Sequence, residues 1–130
     1  MNVTTGVAAT TCKLVIYTSD ANGRASVLVY ESATLSTATT STFVEATLTQ
    51  TFTAGVIYWI GVRHSGAATL RAIALGSCAQ LGMLTNMAIN PATVFRRTLT
   101  YATAATNPWS FVNTDRVAGI TPTSIRMRVV

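Results

Sequence analysis

The side chains that could perform catalysis or bind a metal ion are few and far apart. There is one histidine, His64, and there are two cysteines, Cys12 and Cys78. A Ser-His-Asp triad would need Ser65 or a distant serine beside His64, and no nucleophile-elbow motif is present to position it. A zinc site usually needs four ligands, which these residues do not supply. We therefore predict no catalytic site, no metal and no cofactor.

The same three residues have simpler structural interpretations. His64 directly precedes Ser65-Gly66, so we expect a turn histidine that contacts backbone groups or solvent. We expect Cys12 and Cys78 to be free, buried thiols that pack as small apolar side chains. A single long-range disulfide between them is the alternative.

Glycoside hydrolysis would need two carboxylates about 5–10 Å apart. The acidic residues of the chain are Asp20, Glu31, Glu45 and Asp115. Asp20 opens the sequence Asp-Ala-Asn-Gly, where aspartate is favoured because it bonds to the backbone of a turn. Glu45 lies at a position predicted to point outwards from a strand. A polysaccharide depolymerase is therefore kept only as an alternative function.

Carbohydrate binding needs no paired carboxylates or catalytic triad, and one segment of the chain contains residue types that suit it. Aromatic rings stack on the apolar faces of sugars, while polar side chains bond to the hydroxyls. Aromatic and polar residues of both kinds occur close together near the C-terminus: Tyr101, Asn107, Trp109, Phe111, Asn113, Asp115 and Arg116. The pair Arg96-Arg97 can adjoin them. The alternative interpretation is that Trp109 and Phe111 close one end of the fold as buried side chains.

Sequence patterns typical of β-strands recur along most of the chain. The candidate binding residues must therefore be positioned by strands and the loops between them. Short runs with period-two alternation are separated by Gly, Asn, Asp, Ser and Thr clusters. The predicted strands are residues 12–17, 25–31, 44–49, 56–63, 69–75, 94–101 and 125–129. Only residues 78–88 could turn helically. Seven short strands predict a single all-β domain over residues 1–130, an antiparallel β-sandwich of the jelly-roll type.

The fourth predicted strand, residues 56–63, is the most apolar part of the chain. Trp59 and Arg63 share one of its faces, and Tyr58 lies on the other. A strand that is apolar on both faces belongs in the middle of a sheet or at a contact between subunits. We therefore predict Trp59 and Arg63 as interface residues.

The amino-acid composition indicates which kinds of partner the chain is expected to bind. Charged residues make up only 10% of the chain, against roughly 25% in an average globular protein, and a weakly charged surface favours a homo-oligomer. The longest apolar stretch, residues 56–62, is far shorter than the roughly 18 residues needed to cross a bilayer, so no membrane insertion is expected. The net charge is +5, but the basic residues are scattered, which argues against nucleic acid as the partner.

An ordered set of short motifs resembles a known group of proteins. The segments are CKLVIY (12–17), the DANG turn (20–23), SVLVYE (26–31), TLSTAT (34–39), EATLTQTFTAG (45–55) and YWI (58–60). Their order is similar to that in the C-terminal jelly-roll domains of bacteriophage tail fibres, capsid fibres and related receptor-binding proteins. The chain departs from that pattern at Arg24-Ala25-Ser26, where the family often has Pro-Gly-Thr.

The resemblance implies a function and an assembly. Members of this family form trimeric fibre tips on the phage particle surface, which attach the virion to a bacterial surface receptor, usually a carbohydrate. The chain would then be the distal part of a longer fibre protein, and residues 2–6 would form a turn after a further strand. A purely structural virion domain, for capsid decoration or fibre trimerisation, is the first alternative.

Overall fold

The computed structural model of the chain describes residues 1–72, 93–110, 112, 116–118 and 123–127. Within these residues there is no helix, and every pairing between strands is antiparallel. The strands are β1 (Asn2–Thr5), β2 (Thr11–Ser19), β3 (Ala25–Glu31), β4 (Leu35–Ser36), β5 (Thr42–Phe43), β6 (Tyr58–His64), β7 (Thr69–Leu70), β8 (Thr93–Phe95) and β9 (Arg116–Ala118).

Strand β2 is the centre of the larger sheet. One of its edges pairs with β6 without interruption from Cys12 opposite His64 to Thr18 opposite Tyr58. Its other edge pairs first with β4 and then with β3. Between those two partners the Ser32 hydroxyl accepts a hydrogen bond from the Leu14 amide at 2.9 Å, which replaces a missing backbone carbonyl. The sheet is thus built around one nine-residue strand.

The two faces of β2 bury different sets of side chains. On one face, Cys12 and Leu14 pack against a smaller sheet, ordered β5-β1-β7, through Met1, Val3 and Val44. On the other face lies a second cluster, and it consists of Val15, Tyr17, Ala25, Ala105, Leu28, Trp59 and Trp109. A strand covered on both faces has no polar face, which explains the run of apolar residues in β2. The predicted antiparallel β-sandwich is confirmed.

The hairpin between β2 and β3 has the turn that its sequence predicts. The Asp20 carboxylate accepts hydrogen bonds from the amides of Asn22 and Arg24, both at 2.8 Å. Gly23 adopts φ = 75°, a left-handed conformation that glycine enters without steric cost. The aspartate therefore serves the turn, as predicted, and the strand that follows has the predicted bounds, Ala25–Glu31.

Several strand predictions need correction. Residues 2–6, expected to form a turn, contain β1, whose main chain pairs with both β5 and β7. Residues 44–49 do not form a strand, although Val44 is buried and Glu45 exposed as the alternation requires. The Val44 amide and carbonyl both bond to Met1, and beyond Val44 no described strand pairs with the backbone of residues 45–49. Strand β6 begins at Tyr58 rather than at residue 56.

The C-terminal third also differs from expectation. Of the predicted strand 94–101, only Val94 and Phe95 belong to a strand, β8, and the Thr103 amide and hydroxyl bond to the Thr100 carbonyl in a turn at its far end. Residues 124–127 form no strand, and Thr123 makes an isolated bridge to Ala72. The segment 78–88 lies outside the described residues, as do parts of the predicted strands 69–75 and 125–129. The jelly-roll connectivity stays a prediction.

Candidate functional site

A cleft of about 710 Å³ lies between the larger sheet and the segment 96–109. Small-ligand sites commonly have volumes of about 300–1,000 Å³, so this cleft is of suitable size. We call it the β2–β6 cleft, and its lining is formed by Val15, Tyr17, Ala25, Trp59, Ile60, Gly61, Val62, Arg63, His64, Arg96, Arg97, Thr98, Leu99, Tyr101, Ala105, Thr106, Trp109, Thr123 and Ile125.

Aromatic rings dominate the floor of this cleft because of strand register. Trp59 of β6 lies directly opposite Tyr17 of β2, so both rings project from the same face of the sheet. The Trp109 ring meets the Tyr17 ring edge to face, with centroids 5.3 Å apart and planes at 74°. The amide of Trp109 donates to the Ser26 carbonyl at 2.7 Å, which fixes the segment against β3.

An ion pair on the same face holds the covering segment in place. The Arg63 guanidinium reaches across β2 and contacts the Glu31 carboxylate of β3 at 2.5 Å. Its second terminal nitrogen donates to the carbonyls of Tyr101, at 3.3 Å, and Thr103, at 2.6 Å. Lys13 lies 3.5 Å from the same Glu31 oxygen. Arg63 therefore links the sheet to two carbonyls of the segment that covers it.

The protonation of Glu31 follows from these contacts. Partial burial alone would raise the pKa of Glu31, because it disfavours the charged form. The hydrogen bonds from Arg63 and from the Ala105 amide, together with the charges of Lys13 and Arg63, outweigh that effect. The pKa of Glu31 consequently lies below its ordinary value, and the carboxylate is ionised at neutral pH.

Two tyrosine hydroxyls at the cleft differ in their partners. The Tyr17 hydroxyl donates to the Thr106 carbonyl at 3.0 Å, and burial raises the pKa of this phenol. The Tyr101 hydroxyl is buried and has no hydrogen-bond partner among the described residues. The Arg63 guanidinium lies 5.9 Å from the centre of the Tyr101 ring. Because a buried polar atom usually has a hydrogen-bond partner, the unpartnered Tyr101 hydroxyl is an unusual polar group beside this cleft.

The described residues that line the cleft carry charge of one sign. Arg63, Arg96 and Arg97 belong to its lining, whereas no aspartate or glutamate among the described residues does. Arg97 stacks over the Trp109 ring at 5.4 Å and donates to the Ser110 carbonyl. Arg96 is exposed and forms no ion pair within the described part of the chain. The cleft thus joins an aromatic floor to cationic groups.

Some of the predicted ligand-binding residues come together here and others do not. Tyr101 and Trp109 line the cleft, and Arg96 and Arg97 adjoin them as expected. Asn107 lies outside the lining, since its amide oxygen accepts a hydrogen bond from the Leu28 amide at 3.1 Å. The backbone of Arg116 pairs with that of Phe95 in the β8–β9 ladder. Three further predicted residues lie outside the described ones: Phe111, Asn113 and Asp115.

Trp59 and Arg63, predicted at a subunit interface, both belong to the cleft of a single chain. The Arg63 side chain is only 14% exposed, because it bonds to Glu31 and to the covering segment. Sequence reasoning also missed Tyr17 as a cleft residue. The alternation in residues 12–17 and 56–63 shows which residues share a face of each strand. The register that brings Tyr17 beside Trp59 is not visible in either segment alone.

The histidine and the described cysteine have structural roles. A ring nitrogen of His64 donates to the Gly66 carbonyl at 3.0 Å, so this side chain is a turn histidine as expected. The Cys12 thiol is free and fully buried, and burial raises its pKa. Cys78 lies outside the described residues. No three His, Cys, Asp or Glu side chains within the described ranges come together in a metal-binding group.

Comparison of the chain with protein-family models, with curated proteins and with solved structures yields no match. In the part of the chain that the structure describes, no helix has the length and apolar character needed to span a membrane.

Proposed function

We propose that this chain is a carbohydrate-binding domain at the tip of a phage virion fibre, which attaches the particle to a bacterial surface glycan. One observation carries the proposal: two tryptophans, Trp59 and Trp109, and the Tyr101 hydroxyl line one cleft of suitable volume. The ordered motifs in residues 12–60, which resemble phage fibre proteins, support the virion part. They also support a chain that is the distal part of a longer fibre protein.

The chemistry of the cleft suits a sugar. The faces of a pyranose ring are apolar C–H surfaces that pack on indole rings, and its rim carries hydroxyls that need hydrogen-bond partners. Trp59 and Trp109 supply the first kind of contact, and the Tyr101 hydroxyl supplies the second. Binding a sugar hydroxyl would give the buried Tyr101 oxygen the partner that it lacks among the described residues.

Glycan-array and whole-cell binding assays with fluorescently labelled protein test the proposal. The informative variant is Tyr101→Phe, which removes the buried hydroxyl and leaves the ring. The matched control is Tyr30→Phe, because the Tyr30 hydroxyl bonds to the Thr47 carbonyl outside the cleft. We expect Tyr101→Phe to weaken glycan and cell binding, and Tyr30→Phe to leave both unchanged. No binding to any glycan or host cell would refute a receptor-binding function.

The proposed assembly is a homotrimer, as in the fibre proteins that the chain resembles. Its low charge supports self-association, since few like charges separate neighbouring subunits. Static light scattering at micromolar concentration should give three times the chain mass of 13.7 kDa. A clean monomer would refute the trimer and leave the glycan site to be tested by itself.

A purely structural virion role is the second candidate, and exposed apolar side chains favour it. Phe43 is 73% exposed on β5, and Val56 and Ile57 are exposed at the entrance to β6. Such side chains can pack against other virion subunits. A stable trimer that binds no host glycan would support this role over attachment.

Enzymatic cleavage is not part of the proposal, because the Glu31 carboxylate is bonded to Arg63 and Asp20 to its own turn. Incubation with host capsule should therefore release no new reducing ends.

A further inference from the structure

We infer that the ligand of the β2–β6 cleft is an acidic saccharide, one whose ring carries a carboxylate or a phosphate. This inference rests on the proposed carbohydrate binding and specifies its substrate class. The lining of the cleft contains three arginines and, among the described residues, no aspartate or glutamate. A neutral sugar would not require such a concentration of cations.

The arginines divide into two groups by their contacts. Arg63 is already bonded to Glu31 and to the carbonyls of Tyr101 and Thr103, so its charge is balanced within the fold. Arg97 is held over the Trp109 ring and bonds to Ser110. Both therefore shape the cleft. Neither contact explains why a further arginine stands beside them.

Arg96 is that further arginine. It lines the cleft, is exposed, and forms no ion pair with any described residue. A guanidinium presents its N–H groups in a planar fork that matches a carboxylate or a phosphate with two parallel hydrogen bonds. A sugar ring stacked on the indoles would bring an anionic substituent to this group. The combination of an aromatic surface and an adjacent cation matches a ring that carries one negative charge.

A saccharide fits these observations better than a nucleic acid. Single-stranded nucleic acids are bound in grooves where basic side chains follow the phosphates over several nucleotides. In this cleft Arg63 pairs with Glu31 and Arg97 is held over the Trp109 ring, which leaves Arg96 to meet one anionic group rather than a row of them. The volume of about 710 Å³ also corresponds to a short oligosaccharide segment rather than to an extended strand.

Pairs of glycans that differ only in the acidic group provide the test. Calorimetric titrations would compare sialyllactose with lactose and trigalacturonate with its methyl ester, and would include a short single-stranded oligonucleotide. We expect at least one acidic member to bind about tenfold more tightly than its neutral partner, the effect of one charge-assisted contact. That preference should shrink at high salt, because salt screens exposed charges.

The variant Arg96→Gln should remove the preference, so that the acidic and the neutral member of each pair bind with equal affinity. The matched control is Arg71→Gln, which changes the net charge equally but lies outside the cleft. Equal binding of acidic and neutral partners would overturn the inference while leaving carbohydrate binding intact. Preferential binding of the oligonucleotide, or no binding of any glycan, would overturn both.

Discussion

The Arg63 guanidinium of β6 and the Glu31 carboxylate of β3 meet at 2.5 Å across the intervening strand β2. The same arginine bonds to two carbonyls of the segment that covers the sheet, and the Ala105 amide of that segment points to Glu31 at 3.5 Å. One ion pair therefore links β6 and β3 across β2, and the same arginine links them to the cover of the cleft. The shape of the candidate binding site therefore depends on the Arg63–Glu31 ion pair, whether or not that pair contacts the ligand.

The first prediction concerns this ion pair. Glu31→Gln should lower the free energy of unfolding at neutral pH by roughly 1.5–3 kcal/mol, the range for hydrogen bonds to charged groups. Because the pKa of Glu31 is lowered on folding, its stabilising contribution is complete above the unfolded value of about 4.5. It is lost as the pH falls through the lower folded pKa.

Urea unfolding of wild type and Glu31→Gln at neutral and strongly acidic pH measures this contribution. The difference between the two proteins should shrink on acidification. A difference that stays constant, or grows, at low pH would show that the carboxylate does not act through its charge.

The second prediction compares two tyrosines of the same cleft. Tyr17→Phe should lower the free energy of unfolding by about 1 kcal/mol, because it removes the hydrogen bond to the Thr106 carbonyl. Tyr101→Phe should leave stability unchanged or slightly higher, since its buried hydroxyl has no partner among the described residues. Thermal unfolding of both variants distinguishes them. A larger loss for Tyr101→Phe than for Tyr17→Phe would mean that the Tyr101 hydroxyl is bonded within the fold.

The strands near the N-terminus show how much local pattern can predict. Residues 25–31 follow an Asp-Ala-Asn-Gly turn and alternate regularly, and the predicted strand has the observed bounds. Both signals lie within a few residues of the strand itself. The same is true of the turn roles of Asp20 and His64.

Features that depend on distant partners could not be predicted in the same way. Residues 44–49 alternate like a strand, yet a strand exists only where a neighbouring backbone can pair with it. The segment that covers the cleft is held there because the carbonyls of Tyr101 and Thr103 bond to Arg63, about forty positions earlier in the chain. The aromatic and basic composition near Trp109 was visible in the sequence. Its pairing with Trp59 and Tyr17 was not.

The third prediction tests the close contact between Gly6, directly after β1, and the backbone of Ala38. A Cβ atom added at Gly6 would lie 2.2 Å from the Ala38 carbonyl oxygen, well inside van der Waals contact. Because that neighbour is backbone, we expect Gly6→Ala to destabilise the fold by about 2 kcal/mol or more. Gly61→Ala is the comparison, since its nearest neighbour is a Val15 methyl at 3.3 Å. Equal stability of the two variants in urea would contradict the close approach of Gly6 to residues 38–39.

The fourth prediction concerns the Cys12 thiol. Burial raises its pKa, so the reactive thiolate is scarce and the sulfur is shielded from reagents. In a Cys78→Ser variant, which leaves Cys12 as the sole thiol, iodoacetamide should label the native protein far more slowly than the protein in urea. Labelling can be followed by mass spectrometry. Rapid labelling under native conditions would contradict the buried position of Cys12 between the two sheets.

The central claim is that the β2–β6 cleft binds a saccharide, and the chain carries its own reporters of that event. Its two tryptophans, Trp59 and Trp109, both line the cleft. The decisive measurement is a titration of sialyllactose, or of any glycan that the array identifies, monitored in parallel by tryptophan fluorescence and calorimetry. A saturable fluorescence change with the calorimetric Kd, weakened by Tyr101→Phe and not by Tyr30→Phe, is the predicted result. Calorimetric binding that leaves the tryptophan emission and the Tyr101→Phe affinity unchanged would place the ligand elsewhere and contradict the claim.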